Sequence, residues 1–446
     1  MTDARRVAFD VLQAVSVDDA YANLLLPRRL AAAALSRRDA ALATELCYGT
    51  LRARGTLDEV LRRCSSRELP DVDVEVLNVL RLGAYQLLRT RIASHAAVAT
   101  AVDLARAVGQ GRASGFVNAV LRKVAAADYE SWCRRLAGDA SPLGGLALRY
   151  SHPGWIVGAF AAALGGDQDE LEAALAADDE RPETHLVAWP GRIERDELAA
   201  ECGGTPGKLS PYSVRLTSGG DPGAIAAVDA RQAGVQDEGS QLCALAVTAL
   251  PLDGPDERWL DLCAGPGAKA ALLAALASRR GARLTANELH PHRAQLVARS
   301  TSGWPVEVLA GDARRLQPGV RGFDRILLDA PCTGLGALRR RPEARWRRSA
   351  EDLADLVALQ ADLLRAAVRL ARPGGVIAYV TCSPHPAETR DQVEALLSAE
   401  PEVELLDARD AFAAVGGLPD SPTVQLWPHR QGVDAMFFAA LRRRVD

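Results

Sequence analysis

The sequence predicts a multidomain chain: an all-α bundle, a small α+β piece, and a doubly wound α/β domain. Three observations carry this. At 446 residues the chain exceeds one ordinary core, so two or three domains are expected. Residues 1 to about 140 repeat apolar positions at helical spacing. From about residue 236 the text changes to strand–helix alternation, the pattern of a parallel sheet covered on both faces.

In the first part, "RRVAFDVLQAV", "RRDAALATELCYGTLRARGTLDEVLRRC", "VEVLNVLRLGAYQLLRT", "HAAVATAVDLARAV" and "ASGFVNAVLRKVAA" read as helices. Pro70 beside Asp71 and Asp73 marks a helix start, and "GQGRASG" marks a break. Five or more helices with short links make a compact bundle. Around residues 139 to 153, "DASPLGGLALRYSHPGW" interrupts the pattern. Domains are therefore expected over 1–140, 150–235 and 236–446. The middle one mixes helical "GWIVGAFAAAL" and "DELEAALAADD" with strand-like "THLVAWP" and "YSVRLTS". In the last, "RWLDLCAGPGAKAALLAALA" reads as strand, glycine turn and helix. "RLTANELHPHRAQLVARS", "VEVLAGDARRL", "FDRILLDAPC" and "GGVIAYVTCSP" supply further strands, and "EDLADLVALQADLLRAAVRLA" a helix before the last of these.

The formal net charge of −4 excludes binding of nucleic acid by bulk charge, so any such contact must use local patches. The eight cysteines form no CxxC pair, which predicts neither a zinc site nor a disulfide framework. The N-terminus lacks an apolar signal core, and no segment has the roughly 20 apolar residues of a membrane span. A reduced, cytoplasmic setting is expected, in which a free thiolate survives as a reagent.

Ligands of a doubly wound sheet sit where its strands end. "DLCAGPGAK" places Cys263, Ala264, Gly265, Pro266, Gly267, Ala268 and Lys269 at such an end, ahead of a helix N-terminus. The spacing is neither GxGxxG nor the phosphate loop, so the turn alone fits any α/β domain. The next strands end in Glu288, suited to a ribose hydroxyl pair, in Asp312, suited to an adenine amino group, and in Asp329. A glycine turn followed by three acids at successive strand ends points to a nucleoside cofactor. S-adenosylmethionine is favoured over NAD because the pyrophosphate fingerprint is missing.

Single cysteines are ordinarily small buried hydrophobes, and Cys47, Cys64, Cys133, Cys202, Cys243 and largely Cys263 are read so. Cys332 and Cys382 differ, because each leaves a strand for a Pro- and Gly-rich loop, "APCTGLG" and "TCSPHP". A methyl donor combined with a thiolate suits C5 of a pyrimidine, a carbon that is not nucleophilic in the aromatic ring. Thiolate addition at C6 makes it so, and loss of the C5 proton expels the thiolate. Either cysteine can be the nucleophile on this reasoning, and the other a base or release group. Asp329 can hold the N3–N4 edge, and Lys269 can offset charge. In "LRRRPEARWRR", Arg339, Arg340, Arg341, Arg345, Arg347 and Arg348 flank Trp346, a pattern suited to RNA phosphates and an unpaired base. A solvated basic helix end is the plain alternative.

"CAGPGAK", "LLDAPCTGLG" and "TCSPHPAE" together resemble the bacterial rRNA cytosine-C5 methyltransferases of the RsmB/Sun (Fmu) family, over almost the full length. "LCYGTLRARGTLDEVL", "LRLGAYQLL" and "FVNAVLRKV" resemble the RNA-binding NusB fold. "VQDEGSQ" resembles the entry to the family's Rossmann-like catalytic domain, and "HRQGVDAMFFAALRR" its closing strand. The resemblance implies Cys382 as nucleophile, Cys332 as release group, and a cofactor held by Cys263 through Lys269 with Glu288, Asp312 and Asp329. It implies small-subunit rRNA as substrate, reached before assembly is complete, and a monomeric enzyme. Ala268 departs from the family's usual second glycine, and Glu288 replaces a commoner Asp. The same chemistry on tRNA or another rRNA cytosine, or a non-catalytic RNA-binding antitermination-like factor, are the competing readings.

Overall fold

The computed structural model describes residues 4–138, 140–217, 219–316 and 320–445, which fall into two compact units. One is helical and holds the chain up to Arg181 together with a returning segment, Leu338–Arg348. The other holds Pro182–Ala337 and the chain from Ser349 onward.

In the helical unit, Ala4–Val17, Arg37–Cys64, Val74–Arg89, Ser94–Ala107 and Ser114–Val124 bury their apolar stripes in one core that includes Leu46, Leu57, Leu61, Leu80 and Leu121. Burying each such leucine contributes about 1.5–3 kcal/mol. Ser36 opens the long helix by accepting from the Asp39 amide at 3.1 Å. The interruption expected at 139–153 is instead a helix, Pro142–Arg149, capped by Ser141 on the Gly144 amide at 3.2 Å. Pro142 starts the helix at a position whose N–H has no partner anyway. Two more helices, Gly154–Ala163 and Gln168–Asp179, follow in the same unit. The expected middle domain is thus divided: Gly154–Ala163 and Gln168–Asp179 belong to the first unit, and the strands, with the helices Arg195–Cys202 and Ala226–Asp229, to the second.

Those strands are β1 (His185–Ala188), β2 (Thr205–Pro206), β3 (Ser213–Arg215) and β4 (Ala233–Val235), an antiparallel sheet in the order β2-β3-β1-β4. The large sheet comprises β5 (Arg258–Asp261), β6 (Arg283–Glu288), β7 (Val306–Ala310), β8 (Phe323–Asp329), β9 (Ala371–Thr381), β10 (Val403–Leu406), β11 (Val424–Gln425) and β12 (Phe437–Arg443). Its order is β10-β12-β9-β8-β5-β6-β7, with β11 added to β12. The run from β9 to β7 is parallel, while β12 is antiparallel to both β9 and β10. Leu260, Leu327, Ile377 and Tyr379 are buried, as expected for strands covered on both faces. The chain leaves β5 for β6 and β7 on one side and returns as β8 on the other. That reversal opens a crevice at the carboxyl ends of β5 and β8. No helix among the described residues is long and apolar enough to cross a membrane.

Candidate active site

β5 delivers Asp261 to the crevice, and the turn from Cys263 to Gly267 leads into the helix Ala268–Arg279. Two glycines are required there. A Cβ on Gly265 would stand 2.0 Å from Glu288 Oε2, and Gly267 has φ +119° with Ser300 Cβ 2.8 Å from the place of its missing side chain. Ala268 opens the helix, where right-handed backbone accepts its methyl group. Pro266 is exposed, Ala264 is buried, and burial pushes the thiol of half-buried Cys263 well up, leaving it uncharged.

β6 brings Asn287 and Glu288 alongside. Asn287 Nδ2 donates to the carbonyls of Leu262 (3.2 Å) and Gly311 (3.1 Å), tying the ends of β5, β6 and β7 together. Glu288 is buried and accepts from the His290 amide at 3.0 Å. Arg293 lies 3.6 Å from its other oxygen and donates to the Gly265 carbonyl at 2.7 Å, lashing acid and turn together. Beyond β7, Asp312 is gripped by Arg314, with Nη2 to Oδ2 at 2.8 Å, and this hydrogen bond holds its carboxyl below the usual range. At the end of β8, Asp329 accepts from Lys269 Nζ at 2.8 Å. Burial alone would lower the Lys269 ammonium, but Asp329, Cys243 and Cys382 outweigh it and hold the charge firmly in place.

Asp261 was not among the sequence-derived candidates, though it closes the apolar run before the turn. It is 1% exposed, and neither carboxylate oxygen has a hydrogen-bond partner among the described residues. Burial first, then Asp329, raises it to about 8. A buried acid in want of a donor, a turn too tight for side chains, and acids at three strand ends fit an adenine nucleoside with a cationic tail.

The two strand-end cysteines meet. Cys332 follows β8, Cys382 follows β9, and their sulfurs are 3.4 Å apart. The hydrogen bond to Cys382, then burial, raises the Cys332 thiol well above its ordinary value. The loop carrying Cys332 is clamped from behind by Glu388, a fully buried residue that sequence reasoning also passed over. It accepts from the Thr333 amide at 2.7 Å, the Thr333 hydroxyl, and Gln360 Nε2 at 3.1 Å. Gln360 also donates to the Pro331 carbonyl at 2.8 Å. The Gly336 amide donates to the Cys382 carbonyl at 2.8 Å, joining the two loops.

The arginine-rich segment belongs to the helical unit and corrects part of the RNA expectation. Arg345 is fully buried. It donates to the carbonyls of Arg52 (3.1 Å), Tyr150 (3.3 Å), Ser151 (3.3 Å) and Asp178 (2.8 Å), and to Asp179 at 3.0 Å. A guanidinium enclosed in this way is a folding element that RNA cannot reach. Trp346 seats its ring edge against Gly55, where a Cβ would come within 2.4 Å, so it is no free stacking platform. Arg339 is buried and Arg340 half-buried, whereas Arg341 and Arg348 are exposed. Arg347 lies with its Cζ 4.5 Å above the Tyr21 ring.

Comparison with known proteins agrees with both units. Residues 248–442 match the model for 16S rRNA methyltransferase RsmB/F, and residues 2–126 match the NusB family. A putative methyltransferase of Mycobacterium tuberculosis is 56% identical over 99% of this chain and 96% of its own length. Ribosomal RNA small subunit methyltransferase B of Salmonella newport is 32% identical over 97% of each chain. The crystal structure of a protein called PH0851 has the same fold, with a TM-score of 0.81 and 20% identity over 99% of both chains.

Proposed function

We propose the reaction from one premise: the chain belongs to the 16S rRNA methyltransferase RsmB/F family. It is a methyltransferase whose cofactor is S-adenosylmethionine, and its methyl acceptor is C5 of a cytosine in small-subunit rRNA. The observation that carries this reading is the thiol pair, two sulfurs 3.4 Å apart at the ends of neighbouring strands, beside Lys269 and Asp329. Methylation of oxygen or of an exocyclic nitrogen calls for no such pair.

Gly265 and Gly267 leave room for the cofactor, Glu288 is set for its ribose, Asp312 for its adenine, and Asp261 for its cationic end. When bound, the cofactor supplies an electrophilic methyl group. The protein's task is to make C5 nucleophilic. The family resemblance makes Cys382 the sulfur that attacks C6, as a thiolate whose proton has passed to solvent, with Cys332 standing 3.4 Å away as the release group. Lys269, whose charge is favoured by Cys382, offsets the developing negative charge. Asp329 accepts from the cytosine's exocyclic amine and orients the ring. Once Cys382 is a thioether it no longer raises its neighbour. Cys332 then gives up its proton to solvent, takes the C5 proton, and the C6–S bond breaks. A target base must leave its stack to enter such a crevice, which favours rRNA still open to solvent over a finished subunit. The protein needs no second copy for any of these steps, so the reading is of a monomer.

Transfer of labelled methyl to unmodified small-subunit rRNA tests this, with wild type, Cys382→Ala and Cys332→Ala compared. The expected result is label on cytosine C5 with wild type, none with Cys382→Ala, and a trapped protein–RNA adduct with Cys332→Ala. Equal labelling by all three would exclude the covalent route.

A further inference from the structure

The helical unit contains a cavity of about 390 Å³, large enough for one nucleotide, whose polar wall includes Arg54, Arg81, Trp346 and Arg347. Its apolar side is made by Val15, Val74 and Leu77. The charges in this wall are unevenly satisfied. Arg81 is saturated by Asp58, with contacts of 2.6 and 2.8 Å. Arg54 Nε is 3.7 Å from the same carboxylate and makes no hydrogen bond. Trp346 Nε1 and Arg347 Nη1 are likewise withdrawn from water without a partner among the described residues. Asp19, itself 83% exposed, lies 3.2 Å from Arg347 Nε without the alignment of a hydrogen bond.

The three guanidiniums that line the pocket thus face two carboxylates, with Glu343 adding its influence on Arg347 from outside the wall, and four donors of Arg54, Trp346 and Arg347 make no hydrogen bond among the described residues. Burial, then the neighbouring cation of Arg81, works against the charge on Arg54, a strain that an anion would relieve. Arg54 keeps a third of its side chain exposed and Arg347 about a sixth, so an incoming group can reach both.

We infer that this pocket is a second RNA-binding subsite, which takes one backbone phosphodiester of the substrate between Arg54 and Arg347, with the attached sugar against Val15, Val74 and Leu77. A phosphodiester brings acceptor oxygens with a single negative charge to arginines whose donors are only partly used. Arg347 and Trp346 then serve RNA binding as walls of a pocket and not as a free basic strip. The inference rests on the rRNA-methyltransferase reading for the identity of the polymer.

The test measures affinity of the full-length protein for unmodified 16S rRNA against salt concentration, for wild type, Arg54→Gln and Ser16→Glu. Ser16 also lines the cavity and is exposed, so the new carboxylate competes with a phosphate for the arginines without opening a void. Each variant is expected to bind roughly tenfold more weakly near 0.1 M salt. The slope of log affinity on log salt is expected to shrink by about one counterion. Melting temperatures measured alongside show whether each variant is folded. Unchanged affinity and slope in folded variants would overturn the inference. So would unchanged RNA binding with an Arg54-dependent thermal shift caused by inorganic phosphate, which would make the pocket a site for a free anion. If wild type binds RNA through Arg54 yet transfers no methyl group, the pocket stands and the reaction assigned above fails.

Discussion

Residues 329–336 and 338–348 adjoin in sequence, are both irregular, and use their polar groups in opposite ways. The first stretch keeps Asp329 and Cys332 half-exposed at the crevice, and its rigidity comes from behind, through Glu388 and Gln360. The second turns its most central charge inward, where Arg345 makes five hydrogen bonds to the helical unit. A reactive group needs free valence toward its substrate and support on its far side. A structural charge needs the reverse, and in Arg345 both terminal nitrogens are taken up, with Nε alone lacking a partner among the described residues. Residue type does not distinguish the two roles; the partners do.

The comparison breaks first at Arg345 if it is mistaken. Arg345→Ala strands four buried carbonyls and Asp179, and is expected to destabilise the helical unit by about 3–5 kcal/mol in urea denaturation. Arg345→Lys should recover little, because one ammonium cannot span carbonyls that a planar fork reaches. A loss below about 1 kcal/mol would mean that the buried network contributes little to the fold.

Glu388 probes the supporting side. Glu388→Ala removes the acceptor of Thr333 and Gln360 and lets the Cys332 loop shift, while Cys382 stays on its own strand end. Single-turnover methyl transfer should survive. Multiple turnover should fall roughly ten- to a hundredfold, with adduct accumulating, since a displacement near 1 Å has costs of that size. If both phases fall together, Glu388 acts on the whole crevice and not through Cys332.

Asp261 is the counter-case to Arg345, a buried carboxyl whose oxygens have no hydrogen-bond partner of good geometry among the described residues. Its carboxyl is raised from 3.8 to about 8, so the folded protein holds a proton that the unfolded chain has released. Stability contributed at low pH is therefore lost as pH rises from about 4 to about 8. Asp261→Asn should flatten that decline by about 5 kcal/mol across the window. Parallel pH profiles would show that Asp261 titrates normally and has a donor after all.

Much of this was legible in the sequence, and where it was not, the reason is physical. β5, β6, β8 and β9 are apolar runs ended by Asp261, Glu288, Asp329 and Cys382, so both the sheet and the crevice could be read from them. Asp261 itself went unread, because an acid at a strand end looks the same with or without a partner. Glu388 went unread, because only tertiary packing brings Thr333 and Gln360 to it. Pro142 and its glycines read as a linker although they begin a helix, since proline breaks helices in their interior and not at their first turn. The helix Ala22–Ala33, with Pro27 inside and only Ala22 and Leu26 buried, has too thin an apolar stripe to show. Arg345 misled for a related reason. Composition reports that a guanidinium is present, and burial depends on carbonyls contributed by residues 52, 150, 151 and 178.

The smallest expected effect belongs to the exposed arginines of the same segment. Arg341→Ala and Arg348→Ala should leave melting unchanged, because neither side chain is buried. Each should weaken rRNA binding by about two- to threefold at low salt, an effect that fades as the Debye length shrinks. Arg345→Ala should show the opposite pairing, a large loss of stability and, in whatever fraction remains folded, an unaltered salt slope. If Arg341 and Arg348 destabilise the fold, or if Arg345 alters the salt slope, the division between folding and contact arginines within these few residues fails. If both patterns hold, a single turn of chain contains charges of both kinds, sorted by how many carbonyls surround each.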